Sequence, residues 1–402
     1  MELWQQVCLV AYCSIVAVLG IYGLHRYLLL RLFQRHRGET VAPSARFAHL
    51  PSVTIQLPLY NEYHVVERLL DTVAQIDYPR DRLQIQVLDD STDATSDRAR
   101  QRCEQLRADG LDIDYLHRTH RTGFKAGALA AGLASATGEF VLILDADFVP
   151  PSDLLHSTIH YFTDPRVGMV QTRWGHLNRE HSLLTRIQSI FLDGHFVIEH
   201  TARSRSGRFF NFNGTCGVWR KTAIVDAGGW QHDTLTEDLD LSYRAQLAGW
   251  RFAYLDDVVV PAEVPATVSA LEVQQRRWAQ GGVQTGRKVL PRLLRTRVPA
   301  PVKFEAVVHL FGHLAHPLTW ALAILLFPSA VARRELALDH LLGLDLMLFA
   351  TATLPFVVFY WSAGEIRGRP RKGRVGESCA RLLSGSAYPF RSRARHYAVC
   401  AG

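Results

Sequence analysis

The chain has 402 residues, 48% of them hydrophobic and 21% charged, with a formal net charge of +7. That length exceeds one typical domain, so one or two folded units with additional segments are expected. Six cysteines scattered without a C-x-x-C pair exclude a disulfide framework and a zinc site of the usual spacing. The basic residues gather beside apolar stretches, which argues against nucleic acid as the partner.

Residues 3 to 24, LWQQVCLVAYCSIVAVLGIYGL, are almost free of charge and about long enough to cross a bilayer. The basic run HRYLLLRLFQRHR follows, and no small-residue cleavage site precedes it. A retained anchor is expected, with the chain after residue 25 on the cytoplasmic side. Residues 1–50 therefore read as a transmembrane anchor and basic linker.

Residues 51–262 alternate β-rich and helix-like runs. SVTIQLPL, LQIQVLDD, IDYLHR and FVLILDADF are four strand candidates. The segments after the first three (NEYHVVERLLDTVAQ, SDRARQRCEQLRADG and KAGALAAGLASA) read as helices. Such alternation with continuously apolar strands predicts an α/β domain with a mostly parallel, covered sheet. Ligands bind such sheets outside the carboxyl ends of the strands.

Five carboxylates fall at that edge: Glu62 after the first strand, Asp89 and Asp90 ending the second, and Asp145 and Asp147 ending the fourth. Unpaired, they would repel strongly in a partly desolvated cleft, and a divalent cation with oxygen ligands would relieve this. Singly, each motif has a plainer explanation. D-x-D alone is more often a helix cap, and LDDSTD is turn chemistry. Their joint placement at strand ends favours the cation.

Two constellations follow. LTEDLDLSYRAQLAGW opens a helix with Thr236 as expected N-cap and Glu237, Asp238 and Asp240 in its first turn. That is ordinary helix chemistry, yet a carboxylate there can also accept a proton from an attacking hydroxyl. VQQRRWAQGG belongs to residues 263–302, read as amphipathic interface helices. Residues 303–362 hold two further apolar runs, roughly 305–331 and 341–362, expected as a transmembrane hairpin. Residues 363–402 form a strongly basic tail on the cytoplasmic side.

In order, Asp89-Asp90, Asp145-Ala146-Asp147, Glu237-Asp238 and Gln274 to Trp278 match D-D, D-x-D, T/E-D and Q-x-x-R-W. The sequence resembles the membrane-bound family 2 glycosyltransferases, which include cellulose and hyaluronan synthases, plant mannan synthases and ceramide glucosyltransferases. QVLDDSTDAT, GFKAGALAAGL, FNFNGTCGVWR, DAGGW and QQRRW are most similar to the glucomannan/mannan synthase branch and its bacterial cellulose-synthase-like relatives.

The resemblance implies a GT-A (Rossmann-like) glycosyltransferase domain inserted between transmembrane helices. It implies inverting transfer from a nucleoside diphosphate sugar, GDP-mannose or UDP-glucose, to a growing β-glycan. Pro58, Tyr60, Glu62, Asp90 and Lys125 would bind the donor, with Gln274 and Arg277 clamping the diphosphate. Asp145 and Asp147 would hold Mg2+ or Mn2+ on it. Asp238 would be the general base. Phe212, Asn213 and Gly214 would border the acceptor, which Trp278 would stack upon. A multi-pass protein of an inner or plasma membrane is implied, with its catalytic domain cytoplasmic and with no nucleic-acid partner.

The tail departs from that pattern, because polymer-extruding relatives carry more than three membrane helices. It reads as a truncated or frame-shifted end, or as a basic extension along anionic lipid. A single transfer onto a lipid acceptor is the alternative activity, and a catalytically inactive scaffold is a third reading.

Overall fold

The computed structural model describes residues 3–336 and 342–367. The chain enters through α1 (Leu3–His36) and then builds β1 (Val53–Leu59), α2 (Val66–Ala74), β2 (Leu83–Asp89), α3 (Thr95–Ala108) and β3 (Ile113–His117). Next come α4 (Phe124–Ser135), β4 (Phe140–Ile143), α5 (Leu154–Thr158), β5 (Val167–His176) and α6 (Leu183–Asp193). A π-helical segment, Gly194–His200, joins α6 to α7 (Thr201–Arg205). Then follow β6 (Gly217–Arg220), α8 (Lys221–Asp226), α9 (Glu237–Leu247) and β7 (Arg251–Ala262). The chain continues through α10 (Val268–Arg295), α11 (Ala300–Leu310), α12 (Ala315–Glu335) and α13 (Leu342–Arg367).

The seven strands form one sheet in the order β3-β2-β1-β4-β6-β5-β7. β1 pairs in parallel with β2 and β4, whereas β6 lies antiparallel between β4 and β5. The four strands expected from apolar runs are all present; β1, β2 and β4 are covered on both faces, as a parallel arrangement requires, and β3 is a half-buried edge strand. Polar rungs fix the register of β1 on β2. Thr54 Oγ1 donates to Gln84 Oε1 at 2.9 Å, and Gln56 Nε2 donates to Gln86 Oε1 at 3.0 Å. The small-residue helix α4 packs closely over these rungs, and a Cβ at Gly132 would strike Gln56 and Leu88.

Chain direction diverges at β1, which is followed by β2 on one side and flanked by β4 on the other. That divergence places the crevice between the loops after β1 and β4, where ligands of such sheets sit.

Two helices, Leu3–His36 and Gly312–Glu335, are long and apolar enough to cross a membrane, which marks the chain as membrane-associated. The apolar run expected to begin near residue 305 is divided. α11 ends at Leu310, and a 3-10 turn over Gly312–Leu314 leads into α12. Glu305, Ala306 and Leu310 are buried, so α11 belongs to the packing against α9 and α10 rather than to a span. α1 packs along both α12 and α13. Gly23 permits the approach, since a Cβ there would collide with the Thr351 carbonyl of α13. The basic tail past residue 367, with Cys379 and Cys400, lies outside the described residues.

Candidate active site

Glu62, Asp145 and Asp147 lie near enough at the switch point for their charges to act on one another. Burial raises the Glu62 carboxyl above its usual range, with Asp145 and then Asp93 adding to the effect. Burial, then Asp145, pushes Asp147 up to about 7. Asp145 itself accepts from Lys125 Nζ at 2.5 Å, and its backbone N–H donates to Thr215 Oγ1 at 2.9 Å.

The other two carboxylates of the expected five are committed elsewhere. Asp89 is wholly buried and accepts from Tyr115 Oη at 2.6 Å and from the Ser91 N–H at 2.9 Å. Burial would raise its pKa, but the bonds from Ser91 and Tyr115 hold it below the usual carboxylate range. Asp90 is gripped by Arg118, with Nε to Oδ1 at 2.7 Å and Nη2 to Oδ2 at 2.5 Å. The D-D pair therefore orders the loop after β2, and Asp90 faces an open pocket of about 430 Å3 lined partly by Ser96, His117, Arg118 and Arg121. Arg121 lies flat over the Tyr60 ring, its Cζ 3.3 Å from the centroid. Pro58 sits inside β1 opposite Leu88, one residue before the strand ends.

A second group forms around α9. Thr236 occupies the N-cap position, yet its side chain makes no cap; its hydroxyl pairs with Thr285 Oγ1 of α10 at 3.2 Å. The expected capping role thus gives way to a bond between helices. Asp238, in the first turn, lies beside Gly214, where a Cβ would come 3.2 Å from its Oδ2. Gly214 has φ +80°, and its carbonyl accepts from Lys125 Nζ at 3.0 Å. Burial, then Glu237, pushes Asp238 up to about 7, against the opposing pull of Lys125 and Arg277. Lys125 stays above its ordinary value despite burial, because Asp145, Glu237 and Asp238 all face it.

α10 completes the wall. Gly281 presses against Thr236, where any Cβ would overlap the threonine side chain. Gln274, Arg277, Trp278 and Gly281 share one face by helical spacing, with Gln274 and Trp278 half-buried and Arg277 exposed. The second half of α10 sets one face into the protein and leaves Arg287, Arg292 and Arg295 exposed on the other. Gly282, Thr285, Gly286 and Val289 are buried in the protein.

Two of the expected acceptor residues turn inward. The Phe212 ring is fully buried edge-on to Trp219, with centroids 5.7 Å apart. Asn213 spends its amide on the protein: Oδ1 accepts from Asn211 Nδ2 at 3.1 Å, and Nδ2 donates to His200 Nε2 at 2.5 Å. Of the three, Gly214 faces Asp238 most directly.

Residues 51–281 match the family described as glycosyltransferase like family 2, more than half of the chain. The chain belongs to this family. Glucomannan 4-beta-mannosyltransferase 1 of Oryza sativa subsp. japonica is 39% identical over 328 residues, covering 79% of this chain and 62% of the rice protein. Probable glucomannan 4-beta-mannosyltransferase 10 of Arabidopsis thaliana is 36% identical over 344 residues, covering 81% and 62%. This chain therefore spans less than two thirds of the length of these relatives. Mannosyltransferase PcManGT from Pyrobaculum calidifontis, solved with GDP-Man and Mn2+, superposes with a TM-score of 0.63 at 24% identity, covering 91% of this chain and 100% of that one. It shows the shared GT-A-like fold.

Within this family 2 domain, sequence reasoning missed Arg118, Arg121 and Thr215. The one signal for the two arginines was the basic run HRTHRTG between β3 and α4, which nothing in local periodicity assigns to Asp90 or Tyr60, while Thr215 sits in FNFNGTCGVWR with nothing local tying it to Asp145.

Proposed function

We propose that this chain is an inverting, metal-dependent membrane glycosyltransferase that moves a hexose from a nucleoside diphosphate sugar to a growing β-glycan of the glucomannan type. The observation that carries it is Asp238, buried beside Gly214 and Lys125 with its carboxyl near neutrality, where a general base works best. GDP-mannose is the favoured donor, on the names of the relatives and the ligand of the archaeal enzyme.

Asp238 takes the proton from the acceptor hydroxyl as that oxygen attacks the anomeric carbon. The bond from that carbon to the diphosphate breaks, and the nucleoside diphosphate departs with the electron pair. Arg277 and Lys125 supply positive charge near the leaving group. Gln274 joins this clamp, Trp278 offers a ring for the acceptor sugar, and Tyr60, Glu62 and Asp90 border the nucleotide.

The crowded oxygens fit a hard divalent ion: Asp147 and Glu62 are both raised by burial and then by the charge of Asp145. Among the described residues no group of three or more potential ligands converges, so the protein offers a partial shell that donor phosphates would complete. Asp145 and Asp147 would hold Mg2+ or Mn2+, which would neutralise charge on the leaving diphosphate.

The catalytic domain, residues 51–262, lies on the cytoplasmic side, on the basic residues that follow the first anchor. Residues 263–302 join it to the membrane helices. Release of GDP from GDP-mannose with Mn2+, and sizing of the product, test the reading. A one-sugar lipid product would move it to a glycolipid synthase.

A further inference from the structure

His195 and His200 are five residues apart and their ring centroids stand 4.3 Å from each other. An α-helix turns by about 100° per residue, so a five-residue separation would place them roughly 140° apart around the axis. The π-helical run Gly194–His200 repeats near five residues and brings both onto one face. That face meets Asn213. Its Oδ1 lies 2.9 Å from His195 Nε2, and its Nδ2 donates to His200 Nε2 at 2.5 Å. His200 is itself wedged among Phe196, Phe210 and Tyr254 and has no exposed surface. Burial, above all other causes, keeps both imidazoles well below their ordinary pKa and hence neutral.

On its other side the clamp is tied to the membrane helix. His195 Nδ1 lies 3.3 Å from Glu199 Oε2. Glu199 is paired with Arg26 of α1 and with Arg203 Nη1 at 3.1 Å. Arg203 in turn donates from Nε to Glu305 Oε1 of α11 at 2.8 Å, and His25 of α1 lies 3.0 Å from the same carboxylate. A chain of close polar neighbours therefore runs from α1 through Glu199 and His195 to Asn213, and the single N–H of a neutral His195 is held by the shorter contact, Nε2 to Asn213 Oδ1. The next residue, Gly214, accepts a bond from Lys125, and a Cβ on it would come 3.2 Å from Asp238 Oδ2.

We propose that His195, His200 and Glu199 are positioning residues, and that through Asn213 they fix the Gly214 strip on which the acceptor is aligned with Asp238. Arg26 anchors this clamp to α1, so the transfer step depends on how the membrane helix is seated. The inference rests on the transferase reading above. The positioning residues bond to Asn213, Arg26 and Arg203 and to none of the residues assigned to the donor, so their loss is expected on the acceptor side.

The test uses the full chain in detergent, with GDP-mannose, Mn2+ and a β-1,4-linked manno-oligosaccharide as acceptor probe. GDP binding stoichiometry and Kd are measured first for each variant, as a check on folding that a defect confined to the acceptor side leaves unchanged. His195→Leu is expected to bind GDP as wild type does. Its acceptor KM should rise, or its kcat fall, by at least about tenfold, while the donor KM stays within twofold. His195→Gln, which keeps a polar tip for Asn213, recovers part of that loss, and Arg26→Lys recovers more than Arg26→Met. Wild-type acceptor kinetics in His195→Leu overturn the proposal. So does joint loss of GDP binding and transfer, which would make the cluster a scaffold for the whole domain. A wild-type protein that binds GDP but releases none from GDP-mannose overturns the transferase reading, and this inference with it.

Discussion

Lys125 Nζ stands 2.5 Å from Asp145 Oδ1 and 3.0 Å from the Gly214 carbonyl, so one ammonium joins the D-x-D turn to the strip beside Asp238. Its charge also acts on Asp238, lowering a pKa that burial and Glu237 push up to about 7. A base with a raised pKa is protonated, and so idle, as pH falls through that value. kcat/KM is therefore expected to lose activity below about pH 7 along a single-proton limb. Lys125→Met removes the counter-charge and should move that limb to higher pH. A pH–rate profile of both proteins checks the direction of the shift.

Asp238→Asn keeps the shape of the side chain and removes the base. Turnover should drop by about a hundred- to ten-thousand-fold, the usual contribution of such a group. Nucleotide affinity should change little, because the side chain bonds only to its own helix at Leu239 N–H among the described hydrogen bonds. Stopped assays of GDP release beside equilibrium GDP binding separate the two effects.

Gly214→Ala tests the strip beside Asp238. The position has φ +80°, which costs an L-residue about 1–2 kcal/mol, and the new methyl would lie 3.2 Å from Asp238 Oδ2. A modest fall in Tm with a much larger fall in kcat is expected. Thermal unfolding and initial rates on one preparation suffice.

Chelation of divalent ions should abolish donor turnover, and Mn2+ or Mg2+ should restore it. Asp147→Asn should weaken that restoration, raising the metal concentration needed for half-maximal rate. An unchanged metal titration in this variant would remove Asp147 from the ion's shell.

The half of the sheet nearest the donor was legible because β1, β2 and β4 are unbroken apolar runs whose ends carry the acidic residues. β6 is four residues long and pairs antiparallel with strands distant in sequence, so no local pattern announces it. LLTRIQSIFLDGHFVIEHTARSR contains no break that would separate α6, a π-helical turn and α7, and the close approach of His195 and His200 depends on that turn. The motif residues were visible as types. Their partners were not: Arg118 holds Asp90, Thr285 holds Thr236, and His200 holds Asn213, each through contacts across distant elements. Asp89 and Asp90 look like cation ligands in sequence because their hydrogen-bonding partners, Tyr115 and Arg118, lie 26 and 28 residues away.

The most direct measurement is nucleoside diphosphate release by the purified full chain, with GDP-mannose, Mn2+ and a manno-oligosaccharide, beside Asp238→Asn. The expected result is GDP release that lengthens the oligosaccharide, stops on chelation and nearly vanishes in the variant. Folded, GDP-binding protein that releases nothing, or releases GDP equally well in Asp238→Asn, would contradict Asp238 as the base of a glycosyl transfer.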